Sequence, residues 1–306
     1  MPEGTLMATL VVVFRETLEA GLIVGIILTV LARLRAMRYA KHVWASVGLA
    51  VGLSIAVGWI LSLLTQTTQG QWEKIIEGVI SLVACGVLTH MVFWMDRQAK
   101  RIRPEIETRV ESAVSHQELV VIAMLAFLAV LREGAETVLF LKAVAIQSGG
   151  SASLSGGLLG GTLALGVTAA IFVGGKKVPL KPLFRYTGFL LLLIAAGMLA
   201  YGIHELQELG WIPELVYPVW DINHILNEKE GVGSFLKALF GYNGNPSLIE
   251  VIGYLAYLLG VGWALRRSKE EQPPGPSPEP PVAGPVRREP TLRPNIELMS
   301  KGPVLT

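Results

Sequence analysis

Two short charged motifs interrupt long apolar runs of this chain. Residues 15–19 read RETLE, and residues 132–136 read REGAE. Apolar segments flank the first motif at 6–14 and 20–31, and a run of roughly 20 apolar residues is enough to cross a hydrocarbon core. A charge at that depth costs roughly 2.5–3.5 kcal/mol on insertion scales, so charged residues there usually serve a function. The two RExxE motifs therefore predict a pathway inside the membrane.

The chemistry that these motifs predict is cation binding by carboxylates. Glu16 and Glu19 lie three residues apart and share one face of a helix, and Glu133 and Glu136 repeat that spacing. Carboxylate oxygens are hard ligands that suit Fe³⁺, Mn²⁺, Mg²⁺ or Ca²⁺ better than Cu⁺ or Zn²⁺. We therefore interpret these four glutamates as a metal site.

The two arginines set the charge of this site. Arg15 and Arg132 each precede the second carboxylate of their motif by four residues, which predicts a salt bridge within each motif. Each motif then has a net charge of −1, and the pair has −2. The alternative is a structural network of salt bridges that joins two halves of the protein. Such a network needs no excess negative charge, so a site for a multivalent cation is favoured.

A second group of residues lies near the predicted outer ends of the apolar runs. An outer site for metal capture is one interpretation of these residues. The alternatives are a solvated helix end at 204–208, an interfacial carboxylate at 77, and capping or loop roles at 221 and 224. The group comprises Glu77, His204, Glu205, Glu208, Asp221 and His224.

Composition places these motifs in an all-α, polytopic membrane protein. Of 306 residues, 52% are apolar and only 16% are charged. A net charge of +2, without a basic patch, excludes a nucleic-acid-binding protein. Given the apolar composition, membrane lipid is the expected partner of the protein surface. Hydrophobic periodicity predicts seven spans at about 5–32, 43–64, 73–95, 118–146, 155–174, 183–204 and 248–267.

The basic residues between these spans predict the orientation of the chain. They follow the first, third, fifth and seventh spans, whereas the loops 65–72 and 147–153 contain no Lys or Arg. The positive-inside rule then places the N-terminus outside and the C-terminus in the cytoplasm. The expected location is the plasma membrane, which in a bacterium is the inner membrane. The basic residues used are Arg33, Arg35, Arg38, Lys41, Arg97, Lys100, Arg101, Arg103, Arg109, Lys176, Lys177, Lys181, Arg185, Arg266, Arg267 and Lys269.

The spacing of 117 residues between the motifs indicates an internal repeat. We predict a transmembrane core at 1–204, built from inverted three-helix repeats at about 5–95 and 118–204, with one extra C-terminal helix at 248–267. Inverted repeats place substrate between the halves at the bilayer midplane. Between core and last helix lies an acidic extracytoplasmic segment, 205–247, and a proline-rich tail at 268–306 is expected to be disordered and cytoplasmic.

With these elements in place, the pattern resembles the iron permease family. The resemblance covers about 5–265 and is carried by the paired RExxE motifs, the seven predicted spans, and the segments DINH at 221–224 and GYNG at 241–244. The usual motif reads REGLE, and this chain has Thr17 and Ala135 in its two copies where the family has Gly and Leu. Every charged position of the motif is kept.

This resemblance implies an importer of Fe³⁺ or Fe²⁺, with the four motif glutamates as ligands in transit. It also implies a ferroxidase or iron-delivery protein outside the membrane as a partner. Iron is then cargo, and no resident cofactor is expected. A permease for Mn²⁺ or Pb²⁺ is the alternative. A membrane-embedded di-iron or other metal enzyme is disfavoured, because neither HExxH nor the Glu-x-x-His of di-iron carboxylate sites occurs in the motifs.

Overall fold

The regular secondary structure is helical throughout the part of the chain that the computed structural model describes, which is residues 3–98, 102–149, 152–175, 180–228 and 230–270. A short 3₁₀ turn, Met37–Tyr39, joins the first two helices. The α-helices are α1 (Glu3–Arg33), α2 (Ala40–Thr67), α3 (Gln71–Gln98), α4 (Ile102–Ser115), α5 (Leu119–Gln147), α6 (Leu154–Phe172), α7 (Leu180–Glu208), α8 (Gly231–Phe240) and α9 (Leu248–Glu270).

Each of the seven predicted spans corresponds to one long helix, and the structure adds two short helices. One of these, α4, was expected to be a cytoplasmic loop, because its sequence is too polar to give an apolar run. Arg109 and Glu105 are paired at 2.7 Å on its exposed face. The other, α8, lies within 205–247, and that segment belongs to the same compact unit as the preceding helices, residues 1–265.

Within the described residues, five helices are long and apolar enough, by length and composition, to cross a membrane: α2, α3, α6, α7 and α9. Helices α1 and α5 have 31 and 29 residues but carry the charged motifs. Large apolar side chains such as Trp59, Leu158 and Leu259 are exposed on α2, α6 and α9. Such outward-facing apolar surface is what lipid contact requires.

Small residues let particular helix pairs approach closely. A Cβ atom at Gly160 of α6 would lie 2.5 Å from the carbonyl oxygen of Leu10 in α1. Likewise, a Cβ atom at Gly134 of α5 would lie 2.7 Å from the Cβ atom of Ser54 in α2. The principal contacts accordingly pair α1 with α6, α2 with α5, and α3 with α7.

Two apolar clusters show that α1 and α5 run antiparallel. The first cluster joins Ala8 and Val12 near the start of α1 to Val144 near the end of α5. The second joins Ile27 near the end of α1 to Ile122 near the start of α5. Both charged motifs therefore lie at the level between the two clusters.

A second compact unit comprises Arg266–Thr306, of which the structure describes only the last turn of α9. That helix ends at Glu270, so residues 268–270, which were expected to begin the tail, are helical. The remainder of the predicted disordered tail, 271–306, lies outside the described residues. The predicted cytoplasmic residues Lys100, Arg101, Lys176 and Lys177 also lie outside them.

Candidate metal site

The antiparallel packing of α1 and α5 brings the two motifs together. Glu16, Glu19 and Glu133 are buried, and each offers one carboxylate oxygen to a group whose oxygens lie within 4.8 Å of one another. Oxygens that ligate one hard cation at about 2.0–2.5 Å lie at most roughly 4–5 Å apart. The spacing of these three side chains therefore fits direct coordination of a single ion. We call them the carboxylate cluster.

Glu136, the fourth predicted ligand, lies at the margin of this cluster. Its side chain is 19% exposed, and it is not among the three residues whose oxygens converge. Its Oε2 atom is nevertheless buried without a hydrogen-bond partner among the described residues. Glu136 is therefore a neighbouring carboxylate with one unpaired buried oxygen, and not one of the three that converge.

The first motif forms the salt bridge that its spacing predicts. Arg15 Nε donates to Glu19 Oε1 at 2.9 Å, and the Arg15 side chain is only 2% exposed. Breaking such a buried pair by removing one partner typically costs about 3–5 kcal/mol, because the remaining charge is then left uncompensated. Arg15 is therefore a positioning residue that holds Glu19 in the carboxylate cluster.

The second motif forms the ion pair that its spacing predicts, but the arginine has a closer partner as well. Arg132 Nε donates to the adjacent Glu133 at 2.9 Å, and it lies 3.7 Å from Glu136, the partner that the spacing predicts. The Arg132 side chain is 46% exposed, and its guanidinium carbon lies 4.9 Å from the centre of the Trp94 ring. The sequence does not indicate this contact with α3 or the hydrogen bond to the adjacent Glu133.

Glu16 gives the strongest indication that the carboxylate cluster binds a cation. Both of its carboxylate oxygens are buried, and neither has a hydrogen-bond partner in the described part of the chain. Glu133 Oε2 is likewise buried without a hydrogen-bond partner among the described residues. Buried polar atoms in proteins are almost always satisfied, so unpaired carboxylate oxygens that face one another indicate a ligand such as an ion or water. With four glutamates and two arginines, the formal charge of the site is −2.

A cavity of about 330 Å³ lies at the end of the protein where α7, α8 and α9 meet. The predicted capture residues His204, Glu205 and Glu208 line it. Glu77 lies beside it, since its Oε2 atom accepts a hydrogen bond of 2.9 Å from Tyr201, another lining residue. Four of the six predicted outer residues are therefore grouped at one place, which we call the outer cavity.

The other two predicted outer residues do not line this cavity. Asp221 and His224 are both exposed. Asp221 Oδ1 accepts a hydrogen bond of 3.2 Å from the backbone N–H of Asn223. This is the local loop role that was the alternative for Asp221.

The sequence interpretation missed two residues of the outer cavity, Glu250 and Gln147. Glu250 accepts from the backbone N–H of Ser247 at 3.3 Å, and Ser247 Oγ accepts from the backbone N–H of Glu250 at 3.2 Å. This S-x-x-E pattern is visible in the sequence as a helix capping box. Its remaining contacts, with His204 at 3.1 Å and Asn243 at 2.8 Å, depend on tertiary packing. Gln147 carries no sequence signal beyond its place at a helix end.

Comparisons with known proteins find a family match and several named relatives. The chain matches the model of the Iron permease FTR1 family over residues 6–266. It is 34% identical over 251 residues to a protein named ferrous iron permease EfeU from Yersinia pestis, covering 81% of this chain and 89% of the relative. A protein of the same name from Escherichia coli O6:H1 is 31% identical over 251 residues, covering 81% of this chain and 91% of the relative. No solved structure matches the chain significantly.

Proposed function

Since this chain belongs to the Iron permease FTR1 family, we propose that it carries iron across a membrane, as Fe²⁺, through the carboxylate cluster of Glu16, Glu19 and Glu133. Family and relatives are named as permeases rather than enzymes. Several long apolar helices make the chain a multi-pass membrane protein. The observation that carries the proposal is the convergence of three buried carboxylates from two separate motifs.

Charge balance favours divalent iron as the transported form. The four glutamates and two arginines have a net charge of −2, which one Fe²⁺ ion neutralises. An Fe³⁺ ion leaves one positive charge in a low-dielectric interior, where an uncompensated charge is costly. The relatives from Yersinia pestis and Escherichia coli are named as ferrous iron permeases, in line with this argument.

The topology that we propose has seven membrane spans. Helices α1–α3 and α5–α7 form two inverted repeats, and α9 is the additional span. The pairing of α1 with α6 supports this arrangement, because exchange of the two repeats converts it into the pairing of α5 with α2. Glu16 lies thirteen residues after the start of the 31-residue helix α1. This is about 20 Å along a helix of about 46 Å, so a helix centred in the bilayer places Glu16 near its midplane.

The positive-inside rule gives the proposed orientation, with the N-terminus outside and the C-terminus in the cytoplasm of a bacterial inner membrane. The outer cavity then faces the periplasm, since α8, which contributes to its wall, packs against Gly4 at the start of α1. A ferroxidase or iron-delivery protein on that side stays a prediction from the family resemblance. Glu136 and Arg132 are proposed to assist the three cluster residues.

The proposal is tested by metal uptake into proteoliposomes. Wild type, Glu16→Gln and Glu133→Gln are compared with Glu214→Gln, which removes one exposed carboxylate of the outer segment. Removing a residue that only orients a metal ligand typically lowers metal affinity by about 10–100-fold, and removing a ligand itself is expected to cost at least as much. We therefore expect Fe²⁺ uptake to fall at least tenfold in both cluster variants and to stay unchanged in Glu214→Gln.

The identity of the metal is tested in the same vesicles with Fe²⁺, Fe³⁺, Mn²⁺ and Pb²⁺ offered separately. Uptake of Fe³⁺ in preference to Fe²⁺ contradicts the charge-balance argument but leaves the carboxylate cluster in place. Uptake of Mn²⁺ or Pb²⁺ without iron contradicts the assignment of the cargo. Full iron uptake by folded Glu16→Gln and Glu133→Gln contradicts the site itself.

A further inference from the structure

We propose that the outer cavity is a second cation site, which holds the divalent ion while it still carries most of its water, before the ion reaches the carboxylate cluster. This inference rests on the proposed direction of transport. The lining residues that carry it are Gln147, His204, Glu208 and Glu250.

The first observation is the negative charge of the cavity wall. Glu205, Glu208, Glu228 and Glu250 all line the cavity, against a single lining lysine, Lys237. That lysine is paired with Glu228 at 2.9 Å, and Lys74, outside the lining, is paired with Glu208 at 2.5 Å. Among the described residues, Glu205 and Glu250 therefore keep their negative charge without a lysine partner. Burial, together with the nearby carboxylates of Glu228 and Asp221, raises the pKa of Tyr242, which also lines the cavity. The wall therefore attracts cations.

The arrangement around His204 shows how the carboxylates are held. Its Nδ1 atom lies 3.1 Å from Glu250 Oε1, and its Nε2 atom lies 3.2 Å from Glu208 Oε1. One imidazole thus separates two carboxylates that face the same cavity. Glu250 is only 2% exposed. Its negative charge therefore lies inside the protein, where water screens it less than on a solvated surface.

An independent observation comes from Gln147 at the end of α5. This side chain is only 3% exposed, and it lines the cavity. Its Nε2 atom donates to the carbonyl oxygen of Lys237 at 3.2 Å. The Oε1 atom is buried and has no hydrogen-bond partner in the described residues. An amide oxygen left free in an acidic cavity is a hard acceptor that suits a hydrated cation or the ion itself.

Size distinguishes this site from the carboxylate cluster. At about 30 Å³ of liquid volume per water, a cavity of about 330 Å³ holds roughly ten waters, which is enough for an ion with a full first hydration shell. The carboxylate cluster, with oxygens within 4.8 Å of one another, fits an ion without such a shell. Gln147 lies eleven residues beyond Glu136 on α5, about 16 Å along the helix. Dehydration then takes place between the two sites.

Hexaamminecobalt(III) tests this inference, because it resembles a hydrated metal ion in size but does not exchange its ligands. It fits a site for a hydrated ion and is excluded from a site that binds the bare ion. We expect the full-length protein to bind one equivalent in equilibrium dialysis, and external hexaamminecobalt(III) to raise the KM of Fe²⁺ uptake without changing the maximal rate.

Three variants locate the binding. Glu208→Gln and Gln147→Met are expected to weaken hexaamminecobalt(III) binding at least tenfold and to raise the KM of uptake. The matched control Glu214→Gln removes an exposed carboxylate that does not line the cavity, and it is expected to bind as wild type does. Glu16→Gln is expected to bind the complex normally although its Fe²⁺ uptake is lost.

Two results overturn the inference: no binding to wild type, or equal binding by wild type, Glu208→Gln and Gln147→Met. Either result leaves the proposed transport through the carboxylate cluster standing if Glu16→Gln still abolishes uptake. Conversely, binding at the outer cavity with full uptake by Glu16→Gln contradicts the carboxylate cluster and not the outer cavity.

Discussion

Replacing Glu16 with Gln is expected to stabilise the metal-free protein while it abolishes transport. Glu16 is 1% exposed, and both of its oxygens lack partners in the described structure. Without a bound ion, its charge faces those of Glu19 and Glu133. Glutamine has nearly the same shape, removes this repulsion, and adds an N–H₂ group that can donate to the neighbouring carboxylates.

The size of the effect follows from Coulomb's law. At the limiting separation of 4.8 Å and an effective dielectric constant of about 20, each pair of carboxylates repels by about 3.5 kcal/mol. The charges of Arg15 and Arg132 oppose this repulsion, so we expect a net gain of about 1–2 kcal/mol. A gain of that size raises the unfolding temperature by about 2–8 °C at 2–4 °C per kcal/mol.

A bound cation is expected to make wild type more stable than Glu16→Gln. At a concentration of 100 Kd, an ion that binds only the folded state stabilises wild type by about 2.7 kcal/mol. Glu16→Gln loses a ligand and is expected to gain much less. Without metal, the unfolding temperature of wild type should therefore be lower than that of Glu16→Gln. With saturating Mn²⁺, which serves as a stable divalent probe, it should be higher.

Cys85 provides the assay. It is the chain's single cysteine, and it is buried in the folded protein. A thiol-specific fluorophore therefore reacts with it as the protein unfolds. The matched control is Glu250→Gln, which is equally buried but whose carboxylate accepts bonds from His204, Asn243 and Ser247. Losing these charge-assisted bonds is expected to lower the unfolding temperature.

If metal-free Glu16→Gln has a lower unfolding temperature than wild type, the reasoning is refuted. The Glu16 carboxylate then stabilises the folded protein through its contacts, and repulsion from its neighbours is not the larger effect. Equal shifts for Glu16→Gln and Glu250→Gln refute it as well, since the reasoning predicts that the two variants change the unfolding temperature in opposite directions.

Two further predictions concern the packing around the motifs. Gly134→Ala places a Cβ atom 2.7 Å from the Cβ atom of Ser54, so we expect a loss of about 1–3 kcal/mol from overpacking; its control, Gly166→Ala, meets nothing within 4 Å and should gain about 0.5–1 kcal/mol. A stable Gly134→Ala protein would show that α2 and α5 can separate freely. Arg15→Gln is expected to lose about 3–5 kcal/mol because it breaks a buried pair, and Arg132→Gln clearly less, since that arginine is 46% exposed. Thermal unfolding measures all four variants, and equal losses for the two arginines would contradict the difference in burial.

The sequence predicted the helices and the chemistry of the site, because both are local properties. A run of apolar residues has to form its backbone hydrogen bonds internally when it crosses lipid, so its length alone indicates a helix. The seven long helices accordingly lie where the apolar runs are. Glutamates placed inside those runs are too costly to be incidental. Glu16, Glu19 and Glu133 could therefore be predicted as site residues without knowledge of the fold, and the structure brings their carboxylates together.

The partners of these side chains were decided by tertiary structure. The i to i+4 spacing gave the correct partner for Arg15 but not the closest one for Arg132, which also contacts Trp94 of another helix. Gln147 and Glu250 lie more than 100 residues apart in the chain and line one cavity because α7, α8 and α9 meet there. Which faces of two helices meet depends on close contacts such as that between Gly134 and Ser54. Spacing within a single helix does not contain that information.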